Sequence, residues 1–355
     1  MSKTKKRILI AIGVVLLTLL VLLATMLPFA WPKKGISNDE AWLKTDVYSL
    51  DNTVVIEKSA DRDFVILNMT DIQLNDALDI GRRAYTEQTI RQLVEEVKPD
   101  LITMTGDQVW AAPFKRESLK YLIALMESFK LPWAPVMGNH DGEGNADAMW
   151  CADRYAEAEY CVFKKGPNNI KGVCNYVINI KENDKIIHSM VMLDSGSNAY
   201  YPELDKTGYD NIGVEKQDWY EWAIEGARAV SGNANLESSL FFHIALPEFQ
   251  TAYDEWVAGG CDPKLGFGEN REKCCPAPIN SGFFERIKAV GSTKNIIIGH
   301  DHVNNSSVLY QGVRLTYGMK TGDRCYADDD MNGGTVITMN SQGALSIAHH
   351  YVNIK

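Results

Sequence analysis

At 355 residues, with 45% hydrophobic and 23% charged side chains, the chain has the composition of a globular protein with a sizeable core. Its net charge is −10, and four of its basic residues (Lys3, Lys5, Lys6 and Arg7) stand ahead of the first apolar run, so the rest is more acidic still. An acidic body repels polyphosphate backbones, which excludes nucleic acid as a bulk partner, whereas a local positive site built by metal ions would still accept a phosphorylated ligand.

The run from Ile8 to Trp31 contains no charged residue. A helix needs roughly 20 apolar residues to cross a bilayer, and the apolar region of a cleaved signal is shorter, roughly 7–15. Residues 1–7 therefore read as a cytoplasmic tail and 8–31 as a transmembrane signal anchor seated in the lipid bilayer. The basic flank stays on the cytoplasmic side, so the C-terminal body lies on the luminal or extracellular side. The alternative is secretion after cleavage near Ala30. Residues 32–62 read as a polar stalk and 63–355 as one domain.

Within that domain, Phe64–Thr70 reads as a buried strand and Tyr85–Val97 as a helix with Thr86 at its N-cap. Leu101–Asp107 is the next strand, Leu119–Phe129 a helix, and Trp133–Asn139 a strand that ends in a loop. This alternation predicts right-handed βαβ units with parallel strands. Strands follow at Val173–Ile180, Ile186–Asp194, Leu240–Ala245 and Lys294–His300, with a helix at Val214–Ala229. Shorter strands fall around Val313–Tyr317, Gly334–Met339 and Ala344–Tyr351. Irregular stretches near Gly142–Cys174 and Leu246–Ser281 carry six of the seven cysteines, and the oxidising compartment predicts disulfides within Cys151–Cys174 and between Cys261 and Cys274 or Cys275. These stretches and the loop Gly318–Asp330 are expected to wall the pocket, with Trp150, Tyr201 and Lys320 as candidate contacts.

Five short segments place metal-competent side chains at predicted strand ends: TDIQ with Asp71 and Gln73, GDQV with Asp107, GNHD with Asn139, His140 and Asp141, FFHIALPE with His243, and GHDH with His300 and His302. Open α/β sheets build their sites at strand ends. Singly, each residue reads as a turn former, a cap or a packed histidine. Together they supply the oxygen and imidazole donors that two divalent cations require. Asp141 orients its neighbours or stabilises the turn.

The series, in this order, resembles the calcineurin-like metallophosphoesterase superfamily, whose pattern is D-x-H, G-D, G-N-H-D/E, a later His and G-H-x-H. FFHIALPEF and GHDHVNN look most like the small branch related to purple acid phosphatases. The resemblance implies a four-layer α/β/β/α sandwich of two mixed sheets. It also implies two divalent ions (Mn, Mg, Zn or Fe), the first on Asp71 and His302, the second on Asn139, His243 and His300, with Asp107 bridging. His140 would contact the phosphate and protonate the leaving group as a metal-activated hydroxide attacks phosphorus. The implied activity is hydrolysis of phosphate esters, phosphomonoesters first, with a phosphodiester or diphosphate as the nearest variant. The implied substrate is a phosphorylated small molecule or phosphoprotein.

One position departs from the pattern. Gln73 stands where the superfamily has His, and Trp110 in GDQVW stands where the purple branch has a ligating Tyr. An amide oxygen is a weaker ligand than imidazole for Zn²⁺ or Fe, so the first site either favours Mg²⁺ or Mn²⁺, fills weakly with Gln73 as a poor ligand, or stays empty and leaves one ion on Asn139, His243 and His300. Gln73 therefore supports a rival reading, a degenerate member that binds without turnover.

Overall fold

The strand signals resolve into two large sheets in the computed structural model, which describes residues 2–38, 40–75, 82–110, 115–323 and 325–352. The five-stranded sheet has the order Leu345–Tyr351, Gly333–Met339, Phe64–Met69, Leu101–Thr105, Trp133–Val136. Its last three strands run parallel, as the βαβ reading requires, and the first two join antiparallel. The eight-stranded sheet centres on the parallel strands Lys185–Met192, Ser238–Phe241, Thr293–Ile298 and Val313–Tyr317. Outside them lie Tyr176–Glu182 and Val54–Glu57 on one edge, and Ser307–Tyr310 and Gly266–Phe267 on the other.

Side chains alternate between faces along a strand, and that alternation builds the layers. From the eight-stranded sheet, Ile178, Met190, Met192, Phe241 and Ile297 join the core shared with the five-stranded sheet and with helices Arg82–Val97 and Lys115–Ser128. Their neighbours Val177, Val191, Leu240 and Ile296 face the other way, onto Tyr220 and Ile224 of helix Val214–Ser231 and Phe283 and Ile287 of helix Phe283–Val290. The result is the four-layer α/β/β/α sandwich. Each fully buried Phe or Ile contributes about 1.5–3 kcal/mol.

Several elements differ from expectation. The first helix of the domain already spans Arg82–Val97, so Thr86 lies inside it and donates to Asp323 Oδ1 at 3.1 Å instead of capping. Its first turn is polar and carries no apolar spacing to read. Two stretches expected to be irregular hold helices, Ala148–Ala156 and Glu248–Ala258. The latter starts just after Pro247, a residue tolerated at helix starts because its missing N–H has no intrahelical role there. The expected disulfides are not present among the described residues: Cys151, Cys161, Cys174, Cys261, Cys274 and Cys275 all keep their thiols. Cys174 Sγ accepts from Met137 N at 3.1 Å and Cys151 Sγ donates to Asp141 O at 3.4 Å, so these buried thiols have backbone partners in place of each other.

The N-terminal helix spans Lys3–Ala30, and its stretch Lys3–Leu27 is long and apolar enough to cross a membrane, with mean hydropathy 3.0 and no burial against the body. Segment 32–62 lies along the body. Gly35 N donates to Asp147 Oδ1 at 3.0 Å, Trp42 and Tyr48 are buried, and Val54–Glu57 pairs with Tyr176–Glu182.

Candidate metal centre

All five motifs meet at one place. The carboxyl ends of the parallel strands Phe64–Met69 and Leu101–Thr105 carry Asp71 and Asp107, and Trp133–Val136 leads into Asn139 and His140. From the other sheet, Ser238–Phe241 delivers His243, and Thr293–Ile298 delivers His300 and His302. The motif glycines let these strand ends touch. A Cβ on Gly138 would sit 2.2 Å from Asp107 N, and one on Gly299 would sit 1.9 Å from Thr70 Oγ1. Asp71, Gln73, Asp107 and His300 all hold positive φ, at 50°, 46°, 53° and 83°. Such conformations cost of order 1–3 kcal/mol each and persist only where surrounding contacts enforce them.

Donor atoms of Asp71, Asp107 and His243 lie within 4.8 Å of one another, all buried. His243 Nδ1 donates to Thr105 O at 2.8 Å, which turns Nε2 inward, 3.4 Å from Asp107 Oδ1 and 3.0 Å from Asn139 Oδ1. His300 Nδ1 is 3.3 Å from the same Nε2. A backbone acceptor that fixes the tautomer is the usual support of a ligating imidazole. Asp71 Oδ2 accepts from Thr70 Oγ1 and His300 N, while its Oδ1 is buried with no hydrogen-bond partner. Carboxylate, amide oxygen and imidazole around an orphaned buried oxygen suit a divalent cation.

The carboxylate charge suits that use, and a bound ion would displace the proton that this charge holds on His243. Burial would raise Asp107, but the neighbouring His243 more than offsets it and holds the carboxylate down at about 2. Burial lowers His243, yet Asp107 and Asp71 raise it to about 10. Burial and the neighbouring His243 push His300 down to about 3.

A pocket of about 450 Å³ opens onto this cluster, with Trp110, Tyr209 and Tyr326 among its walls and Asp107, Asn139, His140, His300 and His302 at its base. His140 presents Nε2 there, 3.9 Å from Asp107 Oδ2. Its Nδ1 meets Glu143 Oε2 at 2.7 Å, its backbone N donates to Asp107 Oδ1 at 2.9 Å, and its ring packs on Trp110 at 4.5 Å between centroids. Asp141 takes no place at the cluster. Its Oδ1 accepts from Gln108 N and Val109 N and its Oδ2 from Gly138 N, so it ties the GDQV and GNHD loops together, and burial beside Asp107 raises it to about 7.

Glu143 and Lys115 were missed in the sequence. Lys115, fully buried, donates to the carbonyls of Asp141, Glu143 and Ala146 and so holds the GNHD turn from beneath. Neither Trp150 nor Tyr201 lines the pocket. Trp150 packs against the core, and Tyr201 OH donates to Tyr209 O at 2.7 Å, steadying the ring that meets His300 edge-on at 4.3 Å. Lys320 is buried, and its Nζ donates to Asp71 O at 3.0 Å and Gln73 Oε1 at 2.9 Å. His302 Nδ1 donates to Tyr326 O at 3.0 Å beneath the stacked Tyr326 ring, and its Nε2 lies 3.3 Å from Asp71 Oδ1 and 3.2 Å from Gln73 Nε2.

The sequence pattern of the family described as calcineurin-like phosphoesterase matches residues 64–304. The chain is 28% identical over 253 residues to "Probable inactive purple acid phosphatase 29" of Arabidopsis thaliana, covering 66% of this chain and 62% of that one. It is 29% identical over 233 residues to "Phosphatase DCR2" of Saccharomyces cerevisiae, covering 62% and 39%. The chain thus spans less than two thirds of the length of either relative. A dimetal phosphatase from Danio rerio shares the fold, with a TM-score of 0.53 and 11% identity over 83% of this chain and 98% of that chain.

Proposed function

This chain belongs to the calcineurin-like phosphoesterase family, and from that membership we propose that it hydrolyses phosphate esters, phosphomonoesters first, at the centre built by Asp107, Asn139, His243 and His300. The observation that carries the reading is the setting of His140. Its Nε2 faces the pocket while Glu143 and Trp110 fix the ring. When bound, a divalent ion supplies Lewis-acid activation of the phosphoryl group and of water. His140 then contacts the phosphate and, when protonated, donates from Nε2 to the departing oxygen, with Glu143 stabilising the imidazolium through Nδ1. A pocket of about 450 Å³ with aromatic walls suits a phosphorylated small molecule or the side chain of a phosphoprotein.

The test is release of phosphate from an aryl phosphate by the full chain in detergent, with Mn²⁺, Mg²⁺, Zn²⁺ or Fe added. His140→Ala is expected to lower the rate about 10²–10⁴-fold with metal content unchanged. No turnover with any of these ions on mono- or diesters would leave the second reading, a binding member without turnover, which Gln73 favours.

The bilayer is the second proposed partner. Lys3, Lys5, Lys6 and Arg7 would hold the N-terminus in the cytoplasm, residues 8–31 would span, and the domain would be luminal or extracellular. Protease protection of the domain in sealed vesicles tests the orientation, and an intact N-terminus on the mature protein separates an anchor from a cleaved signal.

A further inference from the structure

The family's two-ion arrangement needs donors facing both positions, and here they do not all face inward. Gln73 Oε1 accepts from Lys320 Nζ at 2.9 Å. That contact fixes the amide, because turning it over would place its NH₂ against the lysine, donor to donor. The ligating atom of Gln73 therefore points away from the cluster and its Nε2 points in. Nε2 lies 3.3 Å from Asp107 Oδ2 and 3.2 Å from His302 Nε2. His302 spends its Nδ1 proton on Tyr326 O, so its Nε2 is an acceptor for the amide. Both amide protons and the amide oxygen are thus used, and they occupy donors on Asp107 and His302 that a first ion would need.

We propose that Gln73 and Lys320 together fill the first metal position, so that the chain holds a single divalent ion, on Asp107, Asn139, His243 and His300 with the open Oδ1 of Asp71 beside them. The inference rests on the proposed reading of this centre as a phosphoesterase site and refines it. Lys320 brings a positive charge to Asp71 and Asp107 from the far side of the cluster, where it is buried and absent from the pocket lining. It stands in for the charge of an ion without reaching the substrate.

The experiment loads the full chain in detergent with Mn²⁺, removes loosely held ion, and measures manganese content and the electron paramagnetic resonance spectrum. The wild type is expected to hold one Mn²⁺ per chain with the six-line spectrum of an isolated ion. Gln73→His combined with Lys320→Met is expected to hold two, with the broadened spectrum of an exchange-coupled pair. Two coupled ions on the wild type, or none, overturn the inference, and this measurement decides it even where the variant does not fold. A folded variant that still holds one ion overturns the role given to Gln73 and Lys320. Phosphate release measured on the same samples separates the two readings. One ion without turnover keeps this inference and removes ester hydrolysis, whereas two ions with turnover do the reverse.

Discussion

Lys115→Met is the substitution whose effect follows most directly from the geometry. The ammonium of Lys115 is buried and donates to Glu143 O at 2.7 Å and Ala146 O at 3.0 Å, to Asp141 O at similar range, and more weakly to His140 O at 3.5 Å. One side chain thus fixes the turn that carries His140, Asp141 and Glu143. Methionine keeps the aliphatic stem and removes every donor. Three short bonds from a charged group, at about 1.5–3 kcal/mol each, amount to roughly 5–9 kcal/mol. No longer burying an ammonium returns several kcal/mol of that, which leaves a net loss of about 3 kcal/mol. For a domain of this size, at about 1.5–2 °C per kcal/mol, the melting temperature should fall by roughly 5 °C. The freed turn should also shift His140, and a displacement of about 1 Å costs on the order of 10²-fold in rate. Thermal and urea unfolding of the full chain, with kcat on an aryl phosphate, measure both. A variant that melts within about 2 °C of the wild type at unchanged kcat would refute the reasoning.

What was legible in the sequence is what local pattern encodes. Apolar β-branched runs that stop at a Gly-Asp, a Gly-Asn-His or a Gly-His mark both a strand and the ligand at its end, and the structure brings all of these residues to one cluster. Glu143 and Lys115 left no such mark. Glu143 follows His140 by three residues in a loop whose turn only the fold defines, and a lysine that heads a helix reads as exposed until four carbonyls are found around it. Lys320 shows the limit most clearly. The sequence exposes the missing histidine at position 73, but the residue that compensates for it comes from a loop beyond the last motif. It reaches Gln73 only because Thr70 and Lys320 are bridged across the end of the sheet. The helix Glu248–Ala258 was hidden for a different reason: its buried residues Phe249 and Ala252 are too few to display a period.

Glu143→Gln removes the carboxylate from His140 Nδ1 while keeping the shape, and kcat should fall roughly 10-fold with metal content unchanged. The same substitution on a His140→Ala background should have no further effect, and a second, independent loss there would show that Glu143 acts elsewhere. Stability should also depend on pH through His188, which is buried against Ser239 Oγ and whose pKa burial lowers to about 4. The unfolded chain takes up this proton below its ordinary value of about 6.5, whereas the folded chain does so only near 4, so the unfolded state binds more protons between the two. Stability from this group is therefore complete above about pH 6.5 and is lost as pH falls toward 4, by about 3 kcal/mol in total. Urea unfolding of the wild type and His188→Gln at pH 7.5 and pH 5 should show a smaller pH dependence in the variant. Equal pH dependence in the two proteins would mean that His188 is not held neutral by its burial.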